Sequence, residues 1–464
     1  SSKLVHGGLR YLEQFELGLV RESLAERRRL STIAPHHVQP LRFVLPVWTG
    51  GIVNRTKLAL GLTAYDLLAG SNQPVARHRR YSANTLCHDF PWLDQAAVQG
   101  GFSYGDCQHD DARTTLSVVA AAQAAGVVCA NHLSAQSLLD DGEYIHGAKL
   151  HDHETDEHFE VRAKAVVAAA GPWSGAFAGN HASQIERVRG AHLILPAIPD
   201  CEQAFILSAP QDGRAFFVIP WYGRSLVGTT ESSVDASALD APDSNRATPE
   251  ETRYLVEAVA ARMPGLGWRQ NDVIASFAGV RSLHQAKAEK LSEVSRDFKL
   301  LKPRDGLWLP LGGKFTTARL EAESVVDALV KARGGPFRAC STATTPLPGA
   351  PPGSFPQWRQ DQLQSWARHP AAKTLARDTL DSLLRRYGTR ATDIADLLTD
   401  DPRLAERLHP ALPFIGAEVV VAQRDEMARD LEDILRRRVP LAILASNPDN
   451  TATWRQTTAQ LAGL

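Results

Sequence analysis

The stretch EVRAKAVVAAAGPWSGAFA, residues 160–178, most limits what this chain can fold into. A short Val/Ala run that stops at Gly171-Pro172 suits a buried strand of a parallel sheet, with its C-terminal end against a ligand. A helix is expected to follow. Upstream, DDARTTLSVVAAAQAAG reads as a helix capped by Asp110 or Asp111 and closed at Gly126, and VVCANHLSAQSLLDD as a strand and turn. Helix, strand, strand and helix in this order indicate an α/β fold. Residues 185–235 then alternate as antiparallel strands: RVRGAHLILP, QAFILSAP, RAFFVIPWYG and RSLVGTTESSVD. The class is therefore α/β, and α+β taken over the whole chain.

The remaining segments fit that frame. Residues 11–34 predict an amphipathic helix ended by Pro35 and Pro40, with Leu12, Phe15, Leu19, Leu24 and Leu30 on one face. LRFVLPVW reads as a strand, RTKLALGLTAYDLLAG as a helix stopping at Gly70, and the stretch to about residue 105 as loop-rich. TPEETRYLVEAVAARMPG starts a helix near Pro249 and ends it near Gly265. DVIASFAGVRSL is a strand, and GLWLPLGGKFTTARLEAESVVDALVKARGG a strand, Gly-Gly turn and helix. A Pro/Gly-rich linker, TTPLPGAPPGSFP, leads to a mostly helical region whose last predicted helix is GAEVVVAQRDEMARDLEDILRRR.

Composition excludes several classes. The formal net charge of −1 gives no basis for nucleic-acid binding, and the RRR runs at 27–29 and 436–438 read as solvated helix faces. Five well-separated cysteines with no CxxC indicate reduced thiols, not a disulfide frame or zinc site. No unbroken apolar run reaches the ~18 residues of a spanning helix. LPVWTGGIVNRTKLALGLTAYDLL has residues suited to a membrane interface, although core packing explains them as well.

Several motifs carry polar chemistry. In LGGKFTTAR, residues 311–319, two glycines let a backbone approach a ligand closely. Lys314 adds charge, and Thr316 or Thr317 opens a helix whose free N–H groups favour an anion. A strand–helix turn with an exposed lysine gives the same pattern. Arg281 in SFAGVRSL is either a surface charge or a fork for phosphate or carboxylate. KLVHGGLRY gathers Lys3, His6, Arg10 and Tyr11 around Gly7-Gly8, and His6 could accept a proton near neutral pH. Solvated charges at a helix start are the plainer reading. His192 in RGAHLILP is a core histidine or a second polar candidate, AAAGPWS a ligand-facing turn or a packed Trp173, and DDAR a helix cap. No GxGxxG, P-loop, HExxH, Ser-His-Asp set or Cys/His metal spacing occurs, so no metal is expected.

Read in order, SSKLVHGGLRYLE, FSYGDCQHDDAR, AAAGPWS, RGAHLILP, VIPWYGRSLVGTTE, FAGVRSL and LGGKFTTAR resemble the FAD-dependent, respiratory, quinone-linked glycerol-3-phosphate dehydrogenases. The wider likeness is to flavoproteins of the D-amino-acid oxidase and glycine oxidase type. The resemblance implies a Rossmann-type FAD-binding domain lacking its first βαβ unit, an antiparallel-sheet substrate domain and a helical C-terminal domain. The FAD-binding parts would be about 1–45, 100–185 and 275–335, and the substrate parts 46–99 and 186–274, within a region 1–340. A linker 341–357 and the helical domain 358–464 follow. The implied activity is oxidation of sn-glycerol 3-phosphate to dihydroxyacetone phosphate by hydride transfer from C2 to FAD, with electrons passing to quinone. An oxygen-using oxidase, a related flavin oxidase and a non-catalytic binding protein are the alternatives.

Carried over by motif, Arg10, Tyr11, Arg281, Lys314 and Thr316 would hold the substrate. His6 would be the general base, and Arg281 and His192 further catalytic candidates. Ser1, Ser2, Lys3, Gly7, Gly8, Gly171, Pro172, Trp173, Gly312, Gly313 and Lys314 would line the cofactor. The family's GxGxxG unit precedes the SSK segment, so the chain is expected to be part of a longer gene product. As such it is expected to bind FAD poorly, where the longer product binds it well. The expected location is cytoplasmic, peripheral on the inner membrane's cytoplasmic face, and the resemblance is compatible with a homodimer.

Overall fold

A computed structural model describes residues 2–13, 15–50, 54–239, 246–284, 298–334, 338–445 and 451–463; Ser1, a proposed cofactor contact, lies outside them. A ten-stranded sheet dominates. Its strands are β1 (Leu4–Val5), β2 (Gln39–Trp48), β3 (Arg79–Tyr81), β4 (Val98–Gln108), β9 (Ile185–Pro196), β10 (Ala204–Ser208), β11 (Ala215–Trp221), β12 (Arg224–Gly228), β13 (Ser232–Ser233) and β14 (Ala275–His284). Between them in sequence, β5 (Leu133–Asp140), β6 (Ile145–Asp152) and β7 (His158–Arg162) form an antiparallel three-stranded sheet. A third sheet holds β8 (Val166–Val167) with β15 (Lys299–Arg304) and β16 (Leu307–Leu311).

The large sheet runs β1-β4-β2-β10-β11-β12-β9-β13, with β14 also on β9 and β3 on β4. Most neighbours are antiparallel; β10 and β2 pair in parallel. In β9, buried residues fall on both sides of the strand, consistent with elements packing on each face. One core holds Phe43, Tyr104, Ile194 and Phe277 of the sheet together with Phe414, Val419, Ile434 and Trp454 of the C-terminal region. The helical end of the chain thus packs on the sheet and does not stand apart from it.

Helices follow local signals where these are strong. The first three are α1 (Leu9–Glu13), α2 (Leu17–Ile33) and α3 (Arg55–Ala69). Asn54 caps α3, and Gly70 ends it at φ 73°. After α4 (Ala83–Asp89), Asp110 caps α5 (Asp111–Ala124) through the amides of Ala112 and Arg113. Thr248 and Glu251 form a capping box on α6 (Pro249–Arg262), which starts at its proline. Then come α7 (Ala318–Arg333), α8 (Phe355–Trp366), α9 (Arg377–Tyr387), α10 (Ala391–Asp400), α11 (Gly416–Asp425), α12 (Leu441–Leu444) and α13 (Thr451–Ala462).

Five local expectations are corrected. The helix over 11–34 is split because Phe15 turns the chain at φ 60°. The stretch before residue 105 is not mainly loop: it holds β3, α4 and the start of β4. Glycines in β4 masked it, and packing requires them. A Cβ on Gly101 would strike the Leu45 carbonyl, and one on Gly105 the Val75 side chain. The helix over 416–438 breaks at Met427, φ 54°, where the Ala428 amide turns back to the Ala422 carbonyl. The strand expected over 160–170 is divided. His158–Arg162 is exposed in the small antiparallel sheet, and only Val166–Val167 pairs in parallel, with Leu307–Trp308. A 3-10 turn over Gly171–Phe177 replaces the expected helix. The parallel pairing itself is as expected.

Each arginine run departs from a solvated face at one residue, while Arg28 and Arg437 are exposed as expected. Arg27 is buried and donates to Asp106 and the Gly105 carbonyl. Arg438 is buried and donates to Asp433 and the Glu426 carbonyl. All five cysteines are free thiols. No helix among the described residues is long and apolar enough to cross a membrane.

Candidate active site

The turn after β1 is fixed from below. The Gly7 amide donates to the Tyr65 hydroxyl at 2.9 Å and to Asp106 Oδ1 at 3.2 Å. Asp106 also accepts from Tyr65 and from Arg27, so a buried ion pair supports this backbone. Burial favours the protonated acid and pushes the Asp106 carboxyl upward, and Arg27 opposes that. Glycine is required at residue 7, because a Cβ would strike Leu24 and the Tyr65 hydroxyl. Gly8 has φ 77°, which favours glycine, and a Cβ there would also meet the Tyr11 ring.

The 311–319 turn closes against this one. Gly312 and Gly313 have φ 76° and 80°, so two successive residues sit in the left-handed region. The Thr316 hydroxyl accepts the His6 amide at 3.2 Å. Lys314 Nζ lies 4.6 Å from the Tyr11 ring centroid and 3.5 Å from where a Gly8 Cβ would stand. Glu321, on α7, accepts from the Lys314 amide and the Thr317 hydroxyl and so ties the turn down.

The sheet supplies the other wall. Arg281 on β14 reaches across β9, where Gly190 leaves room; a Cβ there would stand 2.8 Å from Arg281 Nη2. Arg281 and Arg10 each place a guanidinium nitrogen 3.8 Å from the same oxygen of Glu231, whose side chain is only 10% exposed. Arg281 also donates to the Thr229 hydroxyl. His192 faces Phe277 across the β9–β14 register, with the rings stacked 5.1 Å apart. Its Nε2 is 3.0 Å from Ser2 Oγ, and its buried Nδ1 has no hydrogen-bond partner among the described residues. Burial first, then nearby positive charges that include Arg281 and Lys3, push its pKa well below the ordinary value, so this imidazole is neutral.

Lys3 joins the two walls. At φ 59° its side chain is buried over the Trp221 ring and bonds Asp111. Burial disfavours both charges. Their pairing wins: Lys3 is raised, and Asp111 is held well below the usual carboxylate range. Gly171, Pro172 and Trp173 lie elsewhere on the rim. Gly171 and Pro172 offer carbonyls to Ser282 and Arg187, and Trp173 is half exposed. Because β8 and β16 are parallel, Gly171–Trp173 and Gly312–Lys314 leave adjacent strands at the same end, where open α/β sheets hold ligands.

Motif reading named Arg10, Tyr11, Arg281, Lys314, Thr316, His6 and His192, and the fold brings these together. It missed Glu231, Asp106, Tyr65 and Asp111. Glu231 and Asp106 stand inside motifs the sequence displays, but their partners come from distant segments. Arg281 and the neutral His192 share the sheet wall, and Lys314 stands over Tyr11 on the facing turn, beside the left-handed Gly312-Gly313 pair. That set has the donors and cations to take an anionic ligand, with close backbone approach at the glycines.

Comparison with known proteins agrees. The FAD dependent oxidoreductase family matches residues 1–320, and the C-terminal domain of alpha-glycerophosphate oxidase matches residues 340–462. A glycerol-3-phosphate dehydrogenase of Synechocystis is 33% identical, over 96% of this chain and 82% of the relative. An aerobic glycerol-3-phosphate dehydrogenase of Staphylococcus saprophyticus is 30% identical, over 94% and 79%. Among solved structures, the glycerol-3-phosphate dehydrogenase of Bacillus halodurans complexed with FAD superposes with a TM-score of 0.76 at 23% identity, over all of this chain and 82% of that one. The FAD-bound L-alpha-glycerophosphate oxidase of Mycoplasma pneumoniae gives 0.53 at 16% identity, over 71% and 83%. The chain belongs to the FAD-dependent glycerol-3-phosphate dehydrogenase/oxidase family.

Proposed function

We propose that the protein oxidises sn-glycerol 3-phosphate to dihydroxyacetone phosphate and passes the electrons to a quinone. The observation that carries this reading is the convergence of Arg10 and Arg281 on Glu231, with Lys314 over Tyr11 beside them. A phosphate dianion calls for several directional cations, and arginine forks suit it best. The names of the relatives support the same substrate.

When bound, FAD supplies the hydride acceptor. The chain's residues do the rest. Arg10, Arg281 and Lys314 hold the phosphate, with Tyr11 and Thr316 at its edge. Glu231 keeps both guanidinium groups aimed inward. His6 takes the C2 hydroxyl proton as the hydride leaves. His192 is the second polar candidate: burial lowers its proton affinity, and its buried Nδ1 serves as a hydrogen-bonding group. Ser2, Lys3, Gly7, Gly8, Gly312 and Gly313 would lie along the cofactor, with Gly171, Pro172 and Trp173 flanking it.

Steady-state oxidation of glycerol 3-phosphate against unphosphorylated glycerol tests the substrate. Equal kcat/KM for the two would overturn a phosphate site. A soluble quinone analogue and dissolved oxygen, compared as acceptors, test the rest. Stoichiometric peroxide under air without quinone would instead make the protein an oxidase. Peripheral membrane contact is part of the proposal, with Leu60 and Leu67 of α3 as exposed apolar residues. Absence of flotation with anionic liposomes would remove it.

A further inference from the structure

The hairpin between β6 and β7 lies outside the active site and carries the sequence HDHETDEH over residues 151–158. Its two strands place His151 and His158 directly opposite each other. Their rings stack with centroids 4.3 Å apart and planes 6° apart. Asp156 adopts φ 60° in the connecting turn, which brings its carboxylate back to His151 Nε2 at 2.8 Å. One ligand atom each from His151, Asp156 and His158 lies within 4.8 Å of the other two. His153, in the turn two residues along, has its ring 4.5 Å from that of His151.

We propose that this hairpin binds one divalent late first-row metal ion (Ni2+, Cu2+ or Zn2+) through His151, Asp156 and His158, with His153 as the adjoining imidazole. Imidazole nitrogen with one carboxylate oxygen is the donor set these ions prefer over Mg2+ or Ca2+. Ligand atoms around one such ion stand roughly 3.3 Å apart for bonds of about 2.0–2.1 Å, so only small side-chain movements are needed. The ladder register fixes two of the donors before any ion arrives. The neighbouring Asp152 carboxylate is already used, accepting the Glu154 and Thr155 amides, and so it shapes the turn and leaves the ligand role to Asp156.

A second grouping, His132 with Asp430 and Asp433, differs in kind. Asp433 there already accepts from His132, the Arg429 amide and Arg438, so it is a joint between two chain segments. It provides an internal control.

The test is titration of the full-length chain, its cysteines alkylated, with Ni2+ and with Co2+. We expect one high-affinity ion per chain. His151→Ala, His158→Ala and Asp156→Asn should each weaken it at least tenfold, and His132→Gln should leave it unchanged. Bound Co2+ should show imidazole and carboxylate ligation with no thiolate charge-transfer band. The thermal midpoint should rise with Ni2+ in wild type and stay fixed in His151→Ala/His158→Ala. Equal affinity in wild type and the double variant, or a loss seen only with His132→Gln, overturns the proposal. Because the hairpin is exposed, metal-free variants should melt with wild type, and a lower midpoint in all of them would also count against a ligand role.

Discussion

Lowering the pH from 7 to 5 should destabilise this protein sharply, and the structure says where. His36 and His109 are buried, and burial first of all depresses their pKa values, to about 3 and about 4. Both are neutral when folded, whereas in the unfolded chain each titrates near 6.5. The unfolded state therefore binds more protons throughout this window, and stability must rise with pH. The contribution is fully present above about 6.5 and is lost as pH falls toward the folded values. Linkage gives roughly 2 kcal/mol for each histidine between pH 7 and 5, or about 4 kcal/mol for the pair. His37 and His192 shift in the same direction and add to the slope. Asp111 works at a different pH: its depressed carboxyl loses its contribution only below the ordinary carboxylate range. Urea midpoints at pH 7, 6 and 5 should be compared for wild type and His36→Gln/His109→Gln. The substitutions will shift stability at every pH, but only the slope is diagnostic. The double variant should be flatter by about 4 kcal/mol over the window. An identical slope in the two proteins would refute the burial argument.

Three further outcomes follow from single contacts. Arg281→Lys keeps the charge and loses the fork, and kcat/KM for glycerol 3-phosphate should fall about 10- to 100-fold, the loss of one charged hydrogen bond of ~1.5–3 kcal/mol. A value within twofold of wild type would remove Arg281 from the substrate site. Arg113 and Glu426 form a two-bond pair at 2.7 Å with both side chains 3% exposed, so Arg113→Ala should cost about 3–5 kcal/mol in calorimetry. Arg113→Met/Glu426→Met should cost clearly less, because no buried charge is stranded. Gly313→Ala, at φ 80° and facing the Glu321 carboxylate, should lower the melting midpoint and raise KM, whereas Gly50→Ala, also at positive φ but in open space, should change only the midpoint.

What the sequence made legible was what neighbours in sequence decide. Asp110 as a cap, Pro249 as a helix start and Gly70 as a stop act within one turn of where they stand, and each is found in that role. Ordered motifs rich in Gly, Lys and Arg singled out Arg10, Arg281 and Lys314, of which Arg10 and Arg281 meet at Glu231 and Lys314 lies over Tyr11. Long-range pairing was hidden. Arg27 looks like one of three solvated arginines until the fold delivers Asp106 beneath it. Glu231 looks like the tail of a strand until two arginines from separate segments close on it. Strand β4 was obscured because packing, not β propensity, chose its glycines. Phe15 and Met427 break expected helices at positive φ, which apolar periodicity does not report.

The DDAR segment, plain as a helix cap, connects the two matched regions of the chain. Asp111 bonds Lys3 at the proposed cofactor side. Its neighbour Asp110 accepts from the Tyr222 hydroxyl at 2.9 Å, and Tyr222 in turn accepts from Arg386, which is held by Glu418 at 2.9 Å. Arg113, one turn on, is clamped by Glu426. Both C-terminal carboxylates and Arg386 are buried. Removing the C-terminal helices would therefore expose apolar core and also strand Arg113 without its counter-charge at the foot of the helix that anchors Lys3. Loss of a buried partner costs several kcal/mol, comparable to a large part of a domain's net stability. The C-terminal region thus buttresses the helix whose Asp111 pairs with Lys3, and the two regions should unfold together.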